Sequence, residues 1–257
     1  MTLPASCRSN QPERGRIVPT LALSGAEQMA LDSVLLEHCW ARGQRTPVLR
    51  FYRWNRPTLS LGRHQRDMPE HWLRLAGEGH LDLIRRPSGG SAVLHAGGLT
   101  YALIWPDPPR QRREAYRQVN RLISGGFERL GVSLRAGTTP ATAGVVDCFA
   151  RSTEADLVDD DETKRIGSAQ FWQRGHLLQH GEIPLNPPPE LWHAVFGTLP
   201  PRWSPAAPAA AAVEQALTAS FLEDWSGLIW STEPLSDAER TALQHHASAY
   251  QLEGPVL

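Results

Sequence analysis

One lysine, Lys164, stands among 26 basic side chains of which all the others are arginine. A bias that strict makes the exception informative. An ammonium is a compact donor with a tunable pKa, whereas guanidinium is planar and permanently charged. Either Lys164 survives by chance on a solvated loop or it performs chemistry that arginine cannot. A second candidate is the stretch 85–101, RRPSGGSAVLHAGGLTY. Gly89 and Gly90 let backbone amides approach a ligand closely because no Cβ intervenes, and Arg85 or Arg86 can pair with an anionic group. Taken alone, the same residues also describe a tight hairpin with solvated arginines. His176 and His180, four apart in the strand-like GHLLQHGEI, fall on one face and are candidate proton acceptors, with nothing that implies a metal. The cysteines, Cys7, Cys39 and Cys148, are three in number and widely spaced, which argues against a disulfide framework and a zinc site.

These residues need elements to position them. Ser24 followed by Glu27 is a capping-box signature, and Met29, Leu31, Val34, Leu35 and Cys39 form an apolar face behind it, so a first helix of about four turns is predicted. Cys39 is read there as a small core residue. Residues 48–61 read as two strands joined by a turn at Asn55-Arg56-Pro57, residues 67–78 as a short helix, and LDLIRR and LTYALIW as strands flanking the diglycine loop. Residues 112–130 predict a long core-facing helix interrupted at Gly125-Gly126. The runs DCFA, ADLV, KRIGSAQFW and GHLLQHGEIPL, divided by Gly and Asp, predict short antiparallel strands. Residues 186–211, rich in Pro and Ala, read as a surface connection before a helical run over 212–229 and a final short helix from about Ser236.

The resulting class is a mixed α/β fold with one catalytic domain over 21–230, a flexible, partly disordered lead-in over 1–20 and a helical tail over 231–257. Composition agrees with a globular chain: 41% hydrophobic and 21% charged residues, and a net charge of −1 without a basic cluster. Nucleic acid and membrane are therefore not expected partners. The amino-terminal residues show no apolar run behind their arginines, so a cytoplasmic location is expected.

The loop 85–101 resembles the arginine-glycine signature of the lipoate/biotin protein ligase family, closest to the LipM-type octanoyltransferases related to lipoate-protein ligase A. Further segments resemble it in the same order: SGAEQMALDSVLL, LRFYRWNRPTLSLGRHQ, CFARSTEADL and KRIGSAQFWQRGHLLQHGEIPL. The resemblance implies the catalytic-domain fold shared with biotin ligases and class II aminoacyl-tRNA synthetases. It also implies an acyl site built from Arg85, Arg86, Gly89, Gly90, His95, Gly167, Ser168 and Ala169. Lys164, three residues before Gly167-Ser168-Ala169, takes the place of the family lysine beside the acyl group, where an ammonium stabilises negative charge developing on a carbonyl oxygen. Two departures stand out: Ser91 follows the paired glycines, and Ala96 occupies the position where an Asp usually follows His95.

Relatives that transfer octanoyl groups resemble the CF segment and use its cysteine, here Cys148, as nucleophile. Thiolate attack on an acyl thioester yields another thioester and needs no ATP. A neighbouring ammonium favours the thiolate, so Lys164 is expected to serve both sulfur and carbonyl. The resemblance thus implies octanoyl-acyl carrier protein as donor, no cofactor, no metal, and a lysine of a lipoyl carrier domain (glycine cleavage H protein or a dehydrogenase E2) as acceptor. The alternative is a lipoate-protein ligase using ATP and Mg through an acyl adenylate, with Cys148 incidental. A third reading is an acyl or carrier-domain binding protein without turnover.

Overall fold

A computed structural model describes residues 13–138, 148–150, 152–203 and 206–252. Cys7 lies outside them, as do the first twelve residues of the expected lead-in. The chain order is β1 (Arg14–Leu23), α1 (Gly25–Ala41), β2 (Val48–Trp54), β3 (Thr58–Leu61), α2 (Glu70–Gly77), β4 (Asp82–Arg85), β5 (Val93–His95), β6 (Gly98–Trp105) and α3 (Arg112–Glu128). It continues with β7 (Arg135–Ala136), a 3-10 turn at Cys148–Ala150, β8 (Leu157–Val158), β9 (Lys164–Gln173), β10 (His176–Pro184), α4 (Pro189–Phe196), α5 (Ala210–Asp224), β11 (Ile229–Thr232), α6 (Asp237–His246) and a 3-10 turn at Ala247–Tyr250.

Eight strands form one mixed sheet in the order β11-β1-β2-β6-β10-β9-β8-β7, and β4-β3-β5 form a second, smaller sheet. β1 runs parallel to both β2 and β11, and the ladder from β2 through β6 and β10 to β9 is antiparallel. Strand periodicity divides the large sheet's two faces. Leu49 and Phe51 of β2 join Leu99, Tyr101 and Leu103 of β6 in a core with Val119, Ile123, Leu217 and Phe221 of α3 and α5. Val48 and Tyr52, Ala102 and Ile104 face the other way and pack on Met29, Leu31, Leu35 and Cys39 of α1. A third core under the small sheet holds Leu59, Leu61, Leu94 and Trp72, closed by Trp192 and Val195.

α1 begins as the sequence predicts: the Ser24 Oγ accepts from the Glu27 N–H at 3.4 Å, and Glu27 Oε2 accepts from the Ser24 N–H at 2.9 Å. Several expectations differ from the structure. The expected lead-in is a strand from Arg14 onward, because its carbonyls and amides pair with β2 and β11, and its register irregularity brackets Pro19, which has no N–H to give. The residue pair Gly125-Gly126 does not interrupt α3. A Cβ on Gly126 would lie 2.6 Å from Leu217 Cδ2 and 3.1 Å from Leu217 Cα, so the glycine lets α5 approach α3 closely. β2 and β3 are the two strands joined by a turn that the sequence predicts, and they belong to different sheets. DCFA forms a 3-10 turn over its last three residues instead of a strand. Within the presumed surface connection, α4 is a helix whose Trp192 and Val195 are buried.

The C-terminal segment is not detached from the domain. Arg16 of β1 forms a two-pronged ion pair with Glu239 of α6, Nη1 to Oε1 at 2.6 Å and Nη2 to Oε2 at 3.0 Å, and Glu239 Oε2 also accepts from the Ser236 N–H at 2.7 Å. Burial pushes the Glu239 carboxyl up, but the bonds from Arg16 and Ser236 prevail and hold its pKa at about 2. A carboxyl depressed on folding stabilises the protein fully above its unfolded pKa near 4.5 and loses that contribution as pH falls toward 2. Glu239→Gln is therefore expected to destabilise at pH 7 by about 1–3 kcal/mol, and the difference from the parent protein should shrink between pH 4.5 and 2 in urea melts. A constant difference across that window would assign the effect to packing instead.

Candidate active site

The loop after β4 is built around one guanidinium. Arg86, 5% exposed, donates from Nη1 to the Ser60 carbonyl at 2.8 Å and from Nη2 to the Gly89 and Ser91 carbonyls at 2.8 and 2.7 Å. Gly90 has φ of +99°, a backbone region that favours glycine, and a Cβ on Gly62 would collide with the Gly90 carbonyl. The main chain adds Arg63 N–H to Ser88 O at 2.8 Å and Arg86 N–H to Leu61 O at 2.9 Å. Both arginines of this loop, Arg85 and Arg86, hold backbone carbonyls. Arg86 binds loop carbonyls, and Arg85 donates to the Gly62 and Gln65 carbonyls at 2.9 and 2.6 Å, outside the cavity that Arg86, Gly89 and Gly90 line.

The Cys148 turn docks on this loop through its N–H, which donates to the Ala92 carbonyl at 3.1 Å. Phe149 packs edge-on against Trp192 of α4, 5.7 Å between ring centroids, so the helix absent from the sequence reading buttresses the cysteine turn. Across from it, Lys164 opens β9. Its Nζ lies 2.8 Å from the Cys148 carbonyl, 3.4 Å from the Cys148 Sγ and 2.9 Å from Asp156 Oδ1. The side chain is 5% exposed, so the solvated-loop reading does not describe it. Desolvation draws the Lys164 ammonium down, but its electrostatic interactions and hydrogen bonds with Cys148 and Asp156 outweigh it and the pKa stands above its ordinary value. Gly167 makes room: a Cβ there would meet Lys164 Cε at 3.1 Å and Phe149 Cζ at 3.5 Å. Asp156 is placed by Thr153, whose N–H and Oγ1 donate to Oδ2 at 2.7 and 3.0 Å.

Cys148, Arg86, Gly89, Gly90, His95, Gly167, Ser168 and Ala169 all line one cavity, with Met29, Tyr52 and Val93 among its other walls. Helix α1 and the diglycine loop thus both reach it. Ser168 Oγ shares a 2.8 Å hydrogen bond with the Tyr101 hydroxyl, whose pKa burial pushes up to about 12. Cys39 does not line the cavity; it is fully buried in α1, and desolvation raises its thiol pKa to about 11.

The two cavity histidines are each held by a carboxylate that the sequence reading missed. His95 Nδ1 lies 2.8 Å from Glu182 Oε2 and its Nε2 2.8 Å from Ser60 Oγ, while the Trp54 ring stacks on the imidazole at 3.9 Å. Thr100 Oγ1 also donates to Glu182 Oε2 and accepts from Trp54 Nε1 at 2.8 Å. Ala96 leaves His95 without an acidic sequence neighbour, and Glu182 supplies the carboxylate from β10 instead. His180 Nδ1 lies 2.9 Å from Asp32 Oδ2 and Nε2 2.6 Å from Ser88 Oγ. Asp32 also accepts from Arg50 at 3.0 Å and from the Tyr52 hydroxyl at 3.1 Å. His176 shares strand parity with His180 but sits at the strand's start, bonded to the Arg174 carbonyl at 3.0 Å and away from the cavity lining. Among the described residues, no group of three or more His, Cys, Asp or Glu could hold a metal ion, and no helix is long and apolar enough to cross a membrane.

Desolvation lowers the His95 pKa from 6.5, and Glu182 opposes that shift by charge and hydrogen bond. Glu182→Gln is expected to move it lower still, readable as the titration of the His95 ring by NMR. Because a neutral buried histidine binds fewer protons than the unfolded chain, its penalty on folding grows as pH falls below 6.5. The variant should therefore lose stability faster between pH 6.5 and 5 than the parent. An unchanged His95 titration would contradict the assigned contact.

Residues 24–202 match the model of the lipoyl protein ligase A/B catalytic domain, and the chain belongs to that family. It is 37% identical over 176 residues to octanoyltransferase LipM of Oceanobacillus iheyensis, covering 66% of this chain and 64% of that protein. Against octanoyltransferase LipM of Geobacillus kaustophilus the identity is 37% over 184 residues, 66% of this chain and 65% of that protein. The matched stretch spans just under two thirds of the length of these two relatives. Among solved structures, protein Ta0514 of T. acidophilum with bound lipoic acid aligns with a TM-score of 0.75 at 19% identity, covering 91% of this chain and 93% of that one. A lipoate-protein ligase A bound with ATP aligns at 0.73 and 19%, covering 92% and 94%. These two likenesses are of fold, and they agree with the mixed α/β class.

Proposed function

We propose that the chain is a cytoplasmic acyltransferase that moves an octanoyl or lipoyl group from an acyl carrier protein thioester, through a Cys148 acyl-enzyme, to a lysine of a lipoyl carrier domain. The observation that carries this reading is the Cys148 sulfur 3.4 Å from the Lys164 ammonium, with Cys148 on the wall of a cavity also lined by Met29, Tyr52 and Val93. The similarity to proteins named octanoyltransferase LipM supports the choice of acyl group and of transfer over ligation.

The chemistry follows from the positions. The Cys148 thiolate adds to the thioester carbonyl, and the Lys164 ammonium donates to the oxygen as it becomes negative. Collapse breaks the carbon–sulfur bond to the donor, whose thiolate departs and takes up a proton, leaving a Cys148 thioester. An acceptor lysine amine then adds to that carbonyl, the bond to Cys148 breaks, and the amine proton passes to the sulfur as the amide forms. Both half-reactions use one oxyanion donor, and neither requires ATP. Acceptors of suitable chemistry are the glycine cleavage H protein and dehydrogenase E2 lipoyl domains.

The test offers octanoyl-acyl carrier protein and an unmodified lipoyl domain to the protein without ATP, and in parallel octanoic acid with ATP and Mg. Modification of the domain in the first mixture supports the transferase. Modification confined to the second assigns the chain to the ligases.

A further inference from the structure

Outside the acyl cavity lies a groove of about 310 Å³ walled in part by Arg63, Arg85, Glu37, Phe171 and Tyr250. It shares Arg86 with the cavity, so the two spaces adjoin along one residue. They also adjoin along β9. Gly167, Ser168 and Ala169 line the cavity, and Phe171 and Gln173, which share strand parity with Gly167 and Ala169, line the groove. From Gly167, beside Lys164, to Phe171 is roughly 14 Å at strand rise. The groove is basic, three arginines against the single carboxylate of Glu37. Arg86 and Arg85 are engaged with loop carbonyls, and Arg63 is the exposed one, its guanidinium 5.4 Å from the Phe171 ring centroid. None of these features serves the carbonyl chemistry. An exposed guanidinium flanked by aromatic rings, a strand's walk from the nucleophile, suits an anion tethered to the reacting group.

We propose that this groove seats the phosphate of a pantetheine-borne acyl thioester, with Arg63 as its principal contact and Phe171 and Tyr250 flanking the arm. The inference rests on the thioester reading above and specifies how the donor is held. Its phosphate is common to coenzyme A and to a phosphopantetheinylated carrier protein.

Equilibrium binding tests it without any need for turnover. Pantetheine and 4′-phosphopantetheine are titrated calorimetrically into the parent protein, Arg63→Ser and Arg63→Lys. The phosphate should improve affinity in the parent about tenfold or more, as a charge-assisted contact does. That gain should vanish in Arg63→Ser, return in part in Arg63→Lys, and shrink with added salt. Equal affinity for the two ligands in the parent, or an equal loss of both in Arg63→Ser, overturns the proposal. The same titrations with coenzyme A and with phosphopantetheinylated carrier protein separate the two sources: the donor is the one whose affinity falls with Arg63→Ser, and no fall in either also overturns it. A phosphate-dependent gain in a protein whose Cys148 is never acylated would keep the groove and remove the covalent reaction, so the two readings fail separately.

Discussion

Cys148→Ala is expected to lower octanoyl transfer by about three orders of magnitude or more, since the nucleophile of a covalent relay has no substitute. The loss should fall on turnover, measured as acyl-domain formation at saturating thioester. Folding should change little. The Cys148 side chain is only partly buried, and its N–H bond to the Ala92 carbonyl is a backbone contact that the substitution retains. Cys148→Ser is the sharper variant: it keeps the shape, and its hydroxyl, with a far higher pKa than a thiol, is a poor nucleophile beside an ammonium. Transfer at parental rate in either variant would reduce Cys148 to a wall residue.

Lys164→Ala is expected to lower turnover by about 10²–10³, the usual effect of removing one oxyanion donor. It also leaves the Asp156 carboxylate, 4% exposed, without its ammonium, so a stability loss of about 3 kcal/mol should accompany it. Lys164→Arg separates the two effects. It keeps a positive charge for Asp156, but a planar fork has little space where a Gly167 Cβ would already stand 3.1 Å from Lys164 Cε. Arginine should thus restore much of the stability and little of the turnover, measured as urea midpoint against kcat. Full catalytic rescue would mean that positive charge alone suffices there. Because the Lys164 pKa is raised on folding, its contribution to stability is complete below 10.5 and fades only as pH climbs through the folded value.

Much of this arrangement was legible in residue types and spacing. Alternation along VLRFYRW and the apolar run LTYALIW placed two central strands, the Ser24 and Glu27 pair marked the start of α1, and Lys164 stood out as the solitary lysine, its place beside an acyl group being implied by the family resemblance alone. What escaped was whatever depends on distant partners. Asp32 in α1 and Arg50 in β2 each look like an ordinary charge within an apolar pattern, and only folding joins them at 3.0 Å under His180. Glu182 carried a usable signal, a carboxylate two residues after His180 and therefore on its face of the strand, but its partner His95 is 87 residues away. Asp156 lies within the ADL run, and its pairing with Lys164 depends on β8 meeting β9. α4 was hidden by its prolines, which read as a connection, although Pro189 at a first helical turn is compatible with a helix. Gly125-Gly126 misled in the opposite direction, because contact with α5 overrides poor helix propensity.

The most direct measurement is the intact mass of the protein after brief exposure to octanoyl-acyl carrier protein, without ATP and without acceptor, followed by peptide mapping. The account predicts one added octanoyl group on the peptide that contains Cys148, lost to hydroxylamine, discharged by a lipoyl domain and absent from Cys148→Ser. An unmodified protein that still transfers octanoyl to the domain, or an adduct mapped to Cys39, would contradict it.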